Sequence, residues 1–216
     1  MKIGIFGGTF DPVHIGHLRV AEEIREVFSL ERIVFVPVFV PPHKRNCRIT
    51  GADDRLHMLK AGTRGNRFFR TSEIEIQRGG ISYTLDTLKV FEKRFGEVYF
   101  LIGIDAFSDI HTWHAYRELF SHTHFIVMTR PAHKQSPLLD MLPDDVRGDV
   151  RVLDEVTLEH ASGRRIYLHE ITQLDVSSTK IKKLLKNGRS VRYLVPGSVE
   201  RYICQRRLYG AQFGNH

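Results

Sequence analysis

The chain has 216 residues, 42% of them hydrophobic and 26% charged, an ordinary globular balance that excludes a disordered protein and leaves room for a real core. No apolar run reaches the roughly 20 residues needed to cross a bilayer, and Met1-Lys2 leads straight into a strand-like run rather than a signal peptide. The formal charge of +7 and pI near 9.5 would suit an acidic partner, but the positives are spread along the chain, so charge alone does not decide between a nucleotide and a nucleic acid.

Ile3, Ile5 and Phe6 form a short apolar run that stops at Gly7-Gly8. After Thr9-Phe10-Asp11-Pro12 come His14-Ile15-Gly16-His17 and a helical pattern of Leu18, Ala21, Ile24 and Val27, read as a helix from His14 to about Phe28. Strand, glycine turn and helix start make an architecture that holds phosphate, because glycines admit close backbone approach and helix-start N–H groups point at the anion. It is neither a P-loop, since there is no GxxxxGK(S/T), nor the usual dinucleotide fingerprint, since there is no GxGxxG. Instead two histidines share one helix face, with only a glycine between them to keep a ligand off. Ile33 to Val40 is continuously apolar, as in a strand buried on both faces of a parallel sheet, and completes a βαβ unit. Pro41-Pro42 stops it before His43-Lys44-Arg45, a cationic loop at the carboxyl end of a strand, where open α/β sheets bind ligands.

Ala52 to Ala61 reads as a helix and Arg67 to Gln77 as an alternating strand broken by Gly79-Gly80. Ser82 and Thr84 are both suited to cap the following helix, which runs to about Phe95. Val98 to Ile104 is a central strand, followed by Asp105, which could accept from ribose hydroxyls or cap the helix from Ala106. Trp113 could be core or a stacking surface for a base. His111, His114, His122 and His124 invite a metal reading, but no cysteine or acidic partner completes a ligand set. Phe125 to Met128 is another buried strand, ending at Thr129-Arg130-Pro131. Ala132 to Asp149 reads as a polar loop or insertion, and Val150 to Val156 and Arg165 to His169 as strands that pair with each other outside the nucleotide-binding core.

Ser177, Ser178 and Thr179 open a helix, with Lys182 one turn along; hydroxyls, amides and a cation so placed would grip a polyphosphate, though any one hydroxyl could simply be a cap. Gly188 ends that helix and Val199 to Leu208 makes a last short one. The two cysteines, Cys47 and Cys204, are far apart without a CxxC, which points to a reduced, cytoplasmic compartment. With no repeat or linker in view, the expected fold is α/β, a Rossmann-like doubly wound parallel sheet with a small C-terminal helical part, as one domain over residues 1–216.

The stretch GGTFDPVHIGH, Gly7 to His17, resembles the signature of the nucleotidylyltransferase superfamily, and SSTKIK, Ser177 to Lys182, resembles the (S/T)STxI(R/K) box paired with HxGH in its adenylyltransferases. There is no KMSKS and no length for a tRNA-binding domain, which sets the synthetases aside; phosphopantetheine adenylyltransferases share the first box but are shorter. VPPHK, GISYTLDTL, LIGIDAF with TW, and RSVRYLVPGSVERYI resemble the bacterial nicotinate-nucleotide adenylyltransferase family over nearly the whole chain. Lys182 departs from the pattern, where arginine is usual and brings a bidentate fork that lysine lacks.

The resemblance implies transfer of AMP from ATP to nicotinate mononucleotide, giving deamido-NAD and pyrophosphate. It puts His14 and His17 on the ATP phosphates and Gly7, Gly8, Thr9 and Phe10 around the nucleotide. Ser177, Ser178, Thr179 and Lys182 would hold the β and γ phosphates, with Mg2+ carried mainly by phosphate oxygens and no dedicated protein metal site. Lys44, Thr84, Asp105, Trp113 and Arg130 fall on the acceptor side, with Trp113 facing the pyridine ring and Thr84 near its carboxylate. Partners are then the two substrates, not nucleic acid or membrane, and homo-oligomerisation is left open. The rivals are the same chemistry on nicotinamide mononucleotide or phosphopantetheine, an RNA-binding module on a degenerate nucleotide fold, and a regulatory protein that binds without turnover.

Overall fold

The computed structural model describes residues 1–41, 49–130 and 137–211. Its strands are β1 (Lys2–Gly8), β2 (Arg32–Pro37), β3 (Phe69–Thr71), β4 (Glu97–Gly103), β5 (His124–Thr129), β6 (Val150–Asp154), β7 (Thr157–His160) and β8 (Arg165–Glu170). They lie in one sheet in the order β3-β2-β1-β4-β5-β8-β7-β6. β1 with β4, β4 with β5, and β5 with β8 are parallel, while β8, β7 and β6 run antiparallel as a terminal meander. Helices α1 (Ile15–Val27), α2 (Ala52–Thr63), α3 (Ile74–Arg78), α4 (Thr84–Phe95), α5 (Ile104–Ser108), α6 (Tyr116–His122) and α7 (Asp144–Arg147) punctuate the strands, and α8 (Ser178–Lys186) and α9 (Gly197–Gln205) follow the last one. The Rossmann-like architecture and its C-terminal helical part are as expected from the alternation of apolar runs and amphipathic stretches.

The chain divides into two compact units. The first comprises residues 1–7, 25–33 and 83–172. Its core is the fully buried run of β4 and β5, Val98, Leu101, Phe125, Ile126 and Val127, covered by Leu88 of α4 and Phe107 of α5. Such continuous burial is why these strands read as unbroken apolar runs. The second comprises residues 8–24, 34–82 and 173–216. Here Phe35 of β2, Met58 and Leu59 of α2, Ile181 of α8, and Val199 and Ile203 of α9 are buried. α8 is amphipathic in a simple way, with Ile181 and Leu185 one turn apart inside and its lysines outside.

Several elements depart from expectation. The stretch Arg67 to Gln77 is not one strand: only Phe69–Thr71 is extended, and Ile74–Arg78 is a helical turn in which the Gln77 and Gly79 N–H groups donate to the carbonyls of Glu73 and Glu75. Three alternating residues are too few to separate the two periods. β2 ends at Pro37, short of Val40, which survives only as an isolated parallel bridge to Ile81. Neither Ser82 nor Thr84 caps α4; its N-cap is Tyr83, and the buried Ser82 Oγ accepts from the Phe39 N–H at 2.9 Å instead. The stretch read as a loop from Ala132 holds, within its described part, a 3-10 turn at Leu138–Met141 and α7, seated by buried Leu138, Leu142 and Val146. Val150–Asp154 and Arg165–Glu170 do not pair directly. β7, unforeseen, lies between them, and β8 joins the parallel sheet through β5. Among the described residues no helix is long and apolar enough to cross a membrane.

Candidate active site

The second unit gathers Gly8, Thr9, Phe10, His14, His17, Ser177, Ser178, Thr179 and Lys182. Gly7, Thr84, Asp105, Trp113 and Arg130 belong to the first, and Lys44 lies outside the described residues.

The loop after β1 is pinned from below by Arg55 of α2, a residue 1% exposed. Its Nη1 donates to the Thr9 carbonyl at 2.9 Å, its Nε to Thr50 at 2.9 Å, and its Nη2 to Val38 and Phe39 at 2.7 and 3.0 Å. A guanidinium is planar and has five donors, so one side chain ties three segments by their backbones. Phe10, next in the loop, stands at φ 49 and buries its ring against Phe35. A Cβ on Gly8 would stand 3.0 to 3.3 Å from that ring, so a larger residue there would displace it.

The loop then delivers His14 and His17. Their rings stack at 3.6 Å, with Phe10 edge-on to His17 at 5.1 Å. Gly16 between them has the same logic as Gly8: a Cβ would meet Val176 at 2.9 Å and the His14 ring at 3.1 Å. The His14 N–H donates to His17 Nδ1 at 3.2 Å, which leaves the proton of a neutral His17 on Nε2. His14 Nδ1 is buried without a hydrogen-bond partner among the described residues, an arrangement that a ligand would complete. Burial pushes His14 down to about 4, and burial together with the adjacent His14 holds His17 well below the ordinary histidine range. At neutral pH both are uncharged donors. Not every helix-start amide faces a ligand, however, because the Ile15 N–H donates to the Leu194 carbonyl at 3.0 Å.

At the start of α8 the three hydroxyls have divided roles. Ser177 is the N-cap, accepting from the Lys180 N–H at 3.2 Å, and Ser178 Oγ donates to the Pro12 carbonyl at 2.9 Å, joining α8 to the loop. Thr179 is exposed. Lys182 Nζ donates to Asp11 Oδ2 at 2.9 Å, and the Tyr209 hydroxyl donates to Asp11 Oδ1 at 2.6 Å. Burial would raise the Asp11 carboxyl, but the hydrogen bonds from Tyr209, Thr50 and Lys182 and the charge of Lys182 outweigh it, and its pKa is lowered. Asp11, Arg55 and Tyr209 escaped the sequence reading. Asp11 was in plain view inside the first motif; Arg55 and Tyr209 are linked to it only through the fold.

In the first unit, Asp105 is exposed in the first turn of α5, whose N-cap is Gly103, so Asp105 is not the cap. Trp113 is half-buried and edge-on to Phe100 at 6.2 Å. Thr84 opens α4, and Arg130 is exposed directly after β5. Of the four clustered histidines, His122 pairs with Glu92 at 2.6 Å and His124 accepts from the Arg165 N–H at 3.0 Å. Among the described residues no three His, Cys, Asp or Glu side chains are placed to hold a metal.

A cytidylyltransferase-like family model matches residues 5–184, and the chain belongs to that family. Relatives named probable nicotinate-nucleotide adenylyltransferase, from Desulfatibacillum aliphaticivorans and Pelobacter propionicus, are 41% and 42% identical over 97% of this chain and 100% and 98% of their own. At that identity and coverage, the branch of the family is that of the nicotinate-nucleotide adenylyltransferases. The solved structure of Plasmodium falciparum nicotinic acid mononucleotide adenylyltransferase complexed with NaAD matches with a TM-score of 0.73 at 21% identity, covering 98% of each chain, a likeness of fold.

Two outcomes follow from this geometry. Arg55→Met leaves buried carbonyls without donors and should cost about 3–4 kcal/mol, a fall in Tm of roughly 10 °C, read by thermal denaturation. The folded chain resists a proton on His14 that the unfolded chain accepts near 6.5, so stability should fall as pH drops from about 6.5 towards about 4. That window is worth roughly 3 kcal/mol at about 1.4 kcal/mol per unit. Urea unfolding at pH 7 and 4.5 should show a clearly smaller drop for His14→Gln; equal drops would mean His14 is not held neutral by burial.

Proposed function

We propose that the protein transfers AMP from ATP to nicotinate mononucleotide, releasing pyrophosphate and forming deamido-NAD. The observation that carries this reading is the stacked, neutral His14–His17 pair, with a buried nitrogen unpartnered among the described residues, set in the second unit with Lys182 of the SSTKIK box. Full-length similarity to relatives named for this reaction supports the choice of branch.

The acceptor's 5′-phosphate is already an anion and needs no general base. Its oxygen forms the new bond to the α-phosphorus as the bond to the bridging oxygen breaks, and pyrophosphate leaves with that electron pair. Catalysis is therefore placement plus charge stabilisation. His17 donates through Nε2–H to phosphate oxygens, His14 adds a second imidazole, and Lys182 neutralises charge developing on the leaving group. Backbone from Gly7 to Phe10 follows the nucleotide, and Thr179, with Ser177 and Ser178 shaping the turn, lies along the β and γ phosphates. Beside the single Asp11 carboxylate, which is taken by Lys182 and Tyr209, the groups here are imidazoles, hydroxyls and an ammonium, which suit Mg2+ carried by ATP on its own oxygens. On the acceptor side, Trp113 offers a half-buried face for the pyridine ring, Thr84 a hydroxyl for its carboxylate, and Asp105 and Arg130 polar contacts to ribose and phosphate, with Lys44 assigned by resemblance. A reducing, cytoplasmic setting suits this chemistry and the free thiol of Cys204.

Pyrophosphate release from ATP and Mg2+ should strongly favour nicotinate mononucleotide over nicotinamide mononucleotide. Turnover with the amide alone would move the protein to a sister activity, and none with either would sink the acceptor assignment. His17→Ala should lower kcat/KM by about 100-fold or more, the scale of losing a transition-state donor; a change of only a few-fold would remove His17 from that role.

A further inference from the structure

Asp11 is 4% exposed, and the donors on its carboxylate come from three distant stretches: Thr50 ahead of α2, Lys182 on α8, and Tyr209 in the terminal turn Leu208–Gly210. The two oxygens are divided between them, Oδ1 to Tyr209 and Oδ2 to Lys182. Tyr209 stands at φ 58 and Arg207, two residues before it, at φ 50, left-handed backbone that side-chain-bearing residues seldom adopt. The half-buried phenol also meets Met58 Sδ at 3.8 Å, and burial together with the Asp11 hydrogen bond drives its pKa up, so it stays a donor at any working pH.

The position that Asp11 supports is the one where lysine replaces the usual arginine. An arginine fork carries its own planar direction, whereas an ammonium is a rotating point charge that takes direction from what it is bonded to. With Oδ1 fixed by Tyr209, the carboxylate presents only Oδ2 to Lys182. One of the three ammonium protons is engaged there, and two remain for phosphate oxygens. Without Tyr209 the carboxylate keeps Thr50 but loses the donor on Oδ1, so it is freer to turn toward the ammonium and draw it away from a ligand.

We propose that Tyr209 is a positioning residue for the ATP triphosphate, acting through Asp11 to hold the Lys182 ammonium in its phosphate-binding orientation. This rests on the ATP reading above, and the test separates the two. Calorimetry with α,β-methylene-ATP and Mg2+ reads ATP binding without any acceptor. Tyr209→Phe removes one hydroxyl and should weaken the analogue about ten-fold, the usual size for a hydrogen bond to a charged group. It should raise the KM for ATP in parallel and leave the KM for the acceptor alone. In a Lys182→Ala background the same change should cost less than two-fold, since the group it orients is gone. In a Lys182→Arg background it should also cost less than two-fold, because the fork orients itself. A merely structural defect would carry its full loss through all three backgrounds and overturn the proposal, as would unchanged analogue binding by Tyr209→Phe alone. Wild-type protein that failed to bind the analogue would overturn the ATP reading and this inference with it.

Discussion

A single buried cation governs the shape of the loop between β1 and α1. Arg55 is almost wholly out of water, and an isolated guanidinium there would be prohibitively unfavourable. It is tolerable because four carbonyls, from Thr9, Val38, Phe39 and Thr50, accept its protons at 2.7 to 3.0 Å. Those carbonyls lie outside the named strands, and the arginine gives them the hydrogen bonds that a neighbouring strand gives elsewhere. Everything downstream depends on this. Thr9 held by its carbonyl turns Phe10 into left-handed backbone, the Phe10 ring fills the space that Gly8 leaves, and the same ring supports His17 edge-on.

The electrostatics built on that loop is one of withheld charge. Two imidazoles stacked at 3.6 Å cannot both be protonated at low cost, and burial already disfavours the first proton. Lys182 is ion-paired with Asp11, whose charge also acts on the buried Arg55. The histidine pair thus offers oriented N–H donors without charge of its own. On the proposed ATP reading, an incoming polyphosphate would reverse the balance, since its negative charge favours the imidazolium that burial opposes. Donors fixed before the substrate arrives need not reorganise as the bond to the leaving group breaks, and this is the property that makes such a site effective.

What could be read from the sequence was whatever is written locally. β1 with its glycines, the paired histidines, the buried runs of β4 and β5, and the hydroxyl-rich start of α8 each declare themselves within a dozen residues. Failures came where a short pattern was ambiguous or where distant segments decided the matter. Ile74 and Ile76 alternate like a strand, yet a helical turn forms there and buries Glu75. Thr157–His160 is too short to stand out between charged neighbours, but pairing on both sides makes it a strand. Ser82 had the chemistry of a cap and instead serves the Phe39 amide, 43 residues away. Asp11 looked like a turn residue because nothing local announces that Lys182 and Tyr209, 171 and 198 positions downstream, converge on it.

The same contrast explains the hydroxyl cluster at the start of α8. Three consecutive hydroxyls looked like more than a cap requires, yet two of them have structural partners: Ser177 closes the helix end and Ser178 reaches the Pro12 carbonyl. The box therefore acts as a splice within the fold. It binds α8 to the first loop beside Asp11, so that Lys182, one turn further along α8, arrives at a carboxylate whose other oxygen is held by Tyr209. A sequence motif that recurs with a nucleotide-binding activity need not consist of groups that touch the nucleotide. Here two of its members hold the backbone and one is paired with a buried carboxylate.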